Sequence, residues 1–136
     1  MFFETKVKMW QLWKKYVLNA FKSGRESYPL GWVKVTTVDE IESKLLNIGF
    51  QPNYFSFGDE GQITSMRRMY VDNDGYWRQE HVRVHQDGEV RGHDELSYEE
   101  SAIGHVKGEE VKEINVNSHM GILLVLGGTY KKEEMK

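Results

Sequence analysis

No cysteine occurs in this chain of 136 residues. A disulfide, a thiolate metal site and a cysteine nucleophile are thereby excluded. Proline is scarce, with two residues, and no Ser- or Pro-rich tract marks a linker. No apolar run approaches the length of a membrane span. The opening Met1-Phe2-Phe3-Glu4 lacks the basic start and apolar stretch of a secretory signal. These absences lead us to expect a cytoplasmic protein with no membrane partner. An excess of positive charge is missing as well. The formal net charge is −3, so any nucleic-acid contact must come from a local patch. Gly121, Gly127 and Gly128 do not form a phosphate-cradling loop. Neither a cofactor nor a metal is expected from any known motif.

What remains is enough for one core. Hydrophobic residues make up 39% and aromatic residues 12%, a composition that argues against disorder. The length fits one domain over 1–136, with 1–5 and 131–136 expected to fray.

The pattern predicts α+β elements. Lys6 to Ser23 reads as an amphipathic helix, with Trp10, Trp13, Val17, Ala20 and Phe21 on one stripe, Thr5 as its cap and Gly24 as its stop. Trp32 to Thr36 has the β-branched content of a strand. Thr37-Val38-Asp39-Glu40 matches a capping box, and Ile41, Leu45 and Ile48 form the buried stripe of the helix it opens. Gly49 and Pro52 stop that helix, and Asn53 to Phe57 is a candidate strand. Ser97-Tyr98-Glu99-Glu100 can cap a short helix. Met120 to Leu126 is apolar all round. Asn117 and Ser118 before it, and Gly127-Gly128 after it, favour helix over strand.

Ile63–Asp72, Tyr76–His85 and Glu89–Leu96 read as three strands of an antiparallel meander, with helices packed on one face. Asn73-Asp74-Gly75 and Gln86-Asp87-Gly88 turn between them. Loop length decides which side chains share a face. A two-residue loop in the second turn would set Val82 opposite His93. A three-residue loop sets Val84 opposite Val90, Arg83 opposite Arg91 and His81 opposite His93. The second choice matches apolar with apolar and polar with polar, so it is preferred.

In that register Gln79, His81, Arg83, His85, Arg91, His93 and Glu95 share one face, while Val82, Val84 and Val90 point toward the helices. Arg67 joins the polar face if the first turn allows. His105 and His119 stand apart. Tyr54, Phe55 and Phe57 suit a core strand better than base stacking. Three uses of the polar face stay open. His81 and His93 can act as acid and base on a phosphodiester, with Arg83 and Arg91 as phosphate clamps and His85, Glu95 and Gln79 in support; this needs no metal. His81, His93 and Glu95 are ligand types for Zn, Ni or Fe, although their spacing is no standard metal motif. Or the face is a solvated or partner-binding surface of a non-catalytic protein, including a homodimer.

The stretch Trp77-Arg78-Gln79-Glu80-His81-Val82-Arg83-Val84-His85-Gln86-Asp87-Gly88-Glu89-Val90-Arg91-Gly92-His93-Asp94-Glu95 resembles the central hairpin of small TumE-type toxins of toxin–antitoxin pairs. The chain departs from that family in its long N-terminal addition and in lacking a clear Asp-Asn-Glu run after the hairpin. The resemblance implies RNA as target and a dedicated partner protein. A short lone domain also suits a protein of a mobile element such as an archaeal virus or plasmid.

Overall fold

A computed structural model describes residues 27–53, 61–97, 99–100 and 111–132. The expected helix at Lys6 to Ser23, with Trp10 and Trp13, lies outside the described residues, as do Tyr54, Phe55, Phe57 and His105. The elements are β1 (Tyr28–Trp32), α1 (Val38–Leu46), β2 (Gln51–Pro52), β3 (Gln62–Val71), β4 (Trp77–His85), β5 (Glu89–Leu96) and α2 (Val116–Leu126). The strands form one antiparallel sheet in the order β1-β5-β4-β3-β2. The fold is α+β, with the expected meander at its centre. No helix among the described residues is long and apolar enough to cross a membrane.

Both turns of the meander are built the same way. Gly88 N–H donates to the His85 carbonyl, and Gly75 N–H to that of Asp72. Gly75 and Gly88 have φ of 86° and 93°, a left-handed conformation in which a Cβ is strained. Gly88 is held by a second constraint, since a Cβ there would stand 2.3 Å from the Val33 carbonyl oxygen. The resulting register is the three-residue one: Val84 faces Val90, Arg83 faces Arg91, His81 faces His93 and Gln79 faces Glu95.

One element lies elsewhere than the pattern predicts. The first strand is Tyr28–Trp32, not Trp32 to Thr36. Trp32 exchanges backbone hydrogen bonds with Thr129, and Val33 N–H then turns to the Gly88 carbonyl. The β-branched residues after it lead into the Thr37 cap instead of pairing, so tertiary context overrides propensity. Pro29 is tolerated because β1 is an edge strand. Gln51–Pro52 forms a two-residue edge strand, and beyond Asn53 the strand expected at Asn53 to Phe57 lies outside the described residues.

Helix α1 starts as the capping box requires, with Thr37 Oγ1 accepting from Glu40 N–H at 3.1 Å. Helix α2 begins four residues before Met120. Asn115 is its cap, accepting from Ser118 N–H at 2.9 Å, and Gly127 closes it in the left-handed region. Asn117 and Ser118 are therefore first-turn residues. At Ser97 to Glu100 the capping contact is present, as Glu100 N–H donates to Ser97 Oγ.

Both helices lie on the face of Val82, Val84 and Val90. The core there joins Leu30, Ile41, Leu45, Phe50, Met66, Ile122 and Leu126. The same face turns ionic toward the other end of the sheet. Arg68 pairs with Glu80 at 2.9 Å, donates to the Ile48 carbonyl at 2.7 Å, and lies 4.6 Å from the centre of the Phe50 ring. Arg78 pairs with Asp94 at 2.6 Å, and the Tyr70 hydroxyl donates to the other Asp94 oxygen. Burial disfavours the Arg78 charge, but the hydrogen bond and charge of Asp94 outweigh it and raise its pKa. Burial and the neighbouring Asp94 push the Tyr70 hydroxyl well above its usual pKa.

Folded Tyr70 therefore keeps its proton where an unfolded tyrosine, with a pKa of about 10, loses it. Its contribution to stability is complete below that pH and declines above it. Tyr70→Phe is expected to cost about 1–2 kcal/mol in urea unfolding at neutral pH. The gap between wild type and variant should narrow above about pH 10. A gap that does not change with pH would contradict this placement of the phenol.

Candidate functional site

The opposite face of the sheet carries the predicted constellation. Alternation along β4 and β5 places Gln79, His81, Arg83 and His85 beside Glu95, His93 and Arg91. The first turn adds Ser65 and Arg67 from β3, opposite Arg83 and His81. The centre of this face is not solvated. Gln79, His81, His93 and Glu95 are exposed by 1%, 2%, 3% and 0%, whereas Arg83, His85 and Arg91 at the hairpin end are half-buried.

The two imidazole rings meet edge to face, with centres 5.1 Å apart. His81 Nε2 shares a 2.6 Å hydrogen bond with Ser65 Oγ, and Asn53 Nδ2 stands 3.4 Å from the same nitrogen. Glu95 Oε1 accepts from Gln79 Nε2 at 3.0 Å. Gln79 Oε1 in turn accepts from Arg67 Nη1 at 3.1 Å, and Arg67 is paired with Glu99 at 2.9 Å. A polar chain thus runs from half-buried Arg67 to buried Glu95.

His93 Nε2 lies 3.2 Å from Glu95 Oε1, yet the contact lacks hydrogen-bond geometry, and this buried nitrogen has no hydrogen-bond partner. The ring nitrogen and carboxylate oxygen thus stand at ion-pair distance. One ligand atom from each of His81, His93 and Glu95 falls within 4.8 Å of the others. Imidazole and carboxylate are ligand types for divalent transition metals.

The predicted phosphate clamps are differently employed. Arg91 Nη2 donates to the Ser27 carbonyl, and Arg91 Nη1 lies 3.4 Å from Glu89. Arg83 sits opposite it on β4. His85 lies apart from the histidine pair, at a cavity of about 260 Å³ that it lines with Gly61, Gln86, Asp87 and Glu89. His119 does not join the site; its Nε2 donates to the Leu30 carbonyl at 2.5 Å and its ring packs against Tyr130.

Ser65 and Asn53 were not among the predicted site residues. A signal for Ser65 was present. Applying the three-residue loop to Asn73-Asp74-Gly75 places Arg67 opposite His81 and Ser65 two residues away on the same face. Asn53, beyond a two-residue edge strand, left no such signal.

Compared with known proteins, the chain matches no family model, no curated protein and no solved structure. The functional reading therefore rests on the site itself.

The 2.6 Å bond makes Ser65 an anchor of the His81 ring. Ser65→Ala should cost about 0.5–1.5 kcal/mol in chemical unfolding, the range for losing one hydrogen bond. Asn53, at 3.4 Å, is too distant to replace it fully. An unchanged unfolding midpoint would show that the ring is held by other contacts.

Proposed function

We propose that this protein binds one divalent transition-metal ion through His81, His93 and Glu95. The observation that carries the reading is the 3.2 Å approach of His93 Nε2 to Glu95 Oε1 without a hydrogen bond. Two ligands about 2.1 Å from a tetrahedral ion stand roughly 3.4 Å apart, which matches this separation. The outer limit of 4.8 Å asks the remaining ligand to close by at most about 1.4 Å. A ligating imidazole usually gives its second nitrogen to a fixed acceptor, and Ser65 is placed for that role on His81. Gln79, itself held by Arg67, orients the carboxylate. With three protein ligands, an ion such as zinc keeps a position for water and lowers its pKa. Lining residues would then supply orientation and exclude bulk solvent.

A second reading keeps the same residues without an ion. The edge-to-face contact of His81 and His93 favours it, because two adjacent imidazoles can hold opposite protonation states. In this reading the chain is a small RNA-cleaving, toxin-like protein with a partner protein. Its weakness is access: both rings are buried, and Arg91 is already engaged.

Titration of metal-free protein with zinc in a calorimeter separates the two. The metal reading expects one ion per chain, with affinity reduced about 10–100-fold or more in Glu95→Gln and His93→Ala. Binding absent from the wild type, or equal in all three proteins, would reject it. Cleavage of labelled RNA in excess chelator, lost in both His81→Ala and His93→Ala, would assign the cluster to acid/base chemistry instead.

A further inference from the structure

The hairpin end of the polar face carries two cations beside the histidine pair. Arg83 follows His81 by two residues on β4, and Arg91 precedes His93 by two on β5, so the four side chains leave the sheet on one face. Arg83 and Arg91 are directly opposite one another, a destabilising placement of like charges that draws an anion. Glu89 offsets part of it, 3.4 Å from Arg91. Arg91 is also fixed in place by its hydrogen bond to the Ser27 carbonyl. Both arginines are half-buried, whereas His81, His93 and Glu95 are buried. Solvent therefore reaches the arginine row, and the ligand cluster lies one row deeper along the same strands.

We propose, resting on the metal reading above, that the remaining position on the ion takes a small phosphate-type anion, with one oxygen on the ion and another on Arg83. Charge balance carries this. A divalent ion held by two neutral imidazoles and the Glu95 carboxylate leaves one net positive charge at a buried site. Buried charge is costly unless it is compensated, so an anion is favoured there over neutral water. The arginine row raises the positive potential further. Residues two apart on a strand are separated by roughly 7 Å, a gap that a guanidinium on its flexible stem spans. Phosphate is dianionic near neutral pH and answers this field better than a singly charged carboxylate. The paired donors of arginine also match its oxygens. Depth limits size, since the buried imidazoles are closed to a polymer strand.

Cobalt replaces zinc in the test, because its visible absorption responds to a change of ligand. Protein carrying one equivalent of cobalt is titrated with inorganic phosphate and, in a parallel arm, with acetate. Phosphate should shift the bands to saturation at lower concentration than acetate. Arg83→Gln should take up cobalt as the wild type does, yet need about 10-fold more phosphate, the loss of one charge-assisted hydrogen bond. Lys44→Gln removes the same charge from exposed α1 and should match the wild type. If Arg83→Gln does not fold, Arg83→Lys keeps the charge without the paired donors and should still bind phosphate more weakly than the wild type. Cobalt uptake with no response to phosphate overturns the proposal and leaves the metal reading standing. A response equal in the Arg83 variant, matched by acetate, or ending in the spectrum of aqueous cobalt overturns it too. No uptake of cobalt removes both.

Discussion

The three-residue turn Gln86-Asp87-Gly88 sets the register on which both faces of the sheet depend. Gly88 is constrained there by its positive φ and by the Val33 carbonyl packed where a Cβ would stand. Val33 N–H also binds the Gly88 carbonyl at 2.8 Å, tying the turn to the chain that leaves β1. A slip of one residue would carry every side chain of a strand to the opposite face. Val82, Val84 and Val90 would leave the core, and the histidine pair would be driven into it.

That register produces a sheet whose two faces solve different problems. Under the helices, the charges are paired: half-buried Arg68 with buried Glu80, and Arg78 with Asp94, which also accepts from Tyr70. Such pairs offset desolvation and pin register, but add little net stability over apolar packing. On the other face, Gln79 and Arg67 hold Glu95, and Ser65 holds His81. His93 Nε2 stands at ion-pair distance from Glu95 but outside hydrogen-bond geometry. A polar group buried without a hydrogen bond is costly.

Much of this was legible in the residues. The paired Asp-Gly turns located the meander, and matching Val84 with Val90 brought His81 to His93. The same parity contained more than it was used for. Arg78 and Glu80 share a face with Val82, as Asp94 does with Val90, so the ionic end of the helix-bearing face followed from the register already chosen. What sequence could not supply was depth. Alternation of polar and apolar residues is identical for a solvated face and a covered one, and only the fold shows that Glu95 is fully buried. The first strand was misplaced because Val33, Val35 and Thr36 have strand propensity. Pairing with Thr129 and the start of α1 decide where the strand ends.

The central claim is that the register gathers His81, His93 and Glu95 into a metal centre. X-ray absorption at the zinc edge tests it most directly, on protein carrying one equivalent of zinc. The claim predicts two imidazoles, visible by their ring multiple scattering, and oxygen ligands, all at about 2.0–2.2 Å. One imidazole should vanish in His93→Ala. A shell of oxygen alone, or a spectrum that His93→Ala leaves unchanged, would contradict the claim.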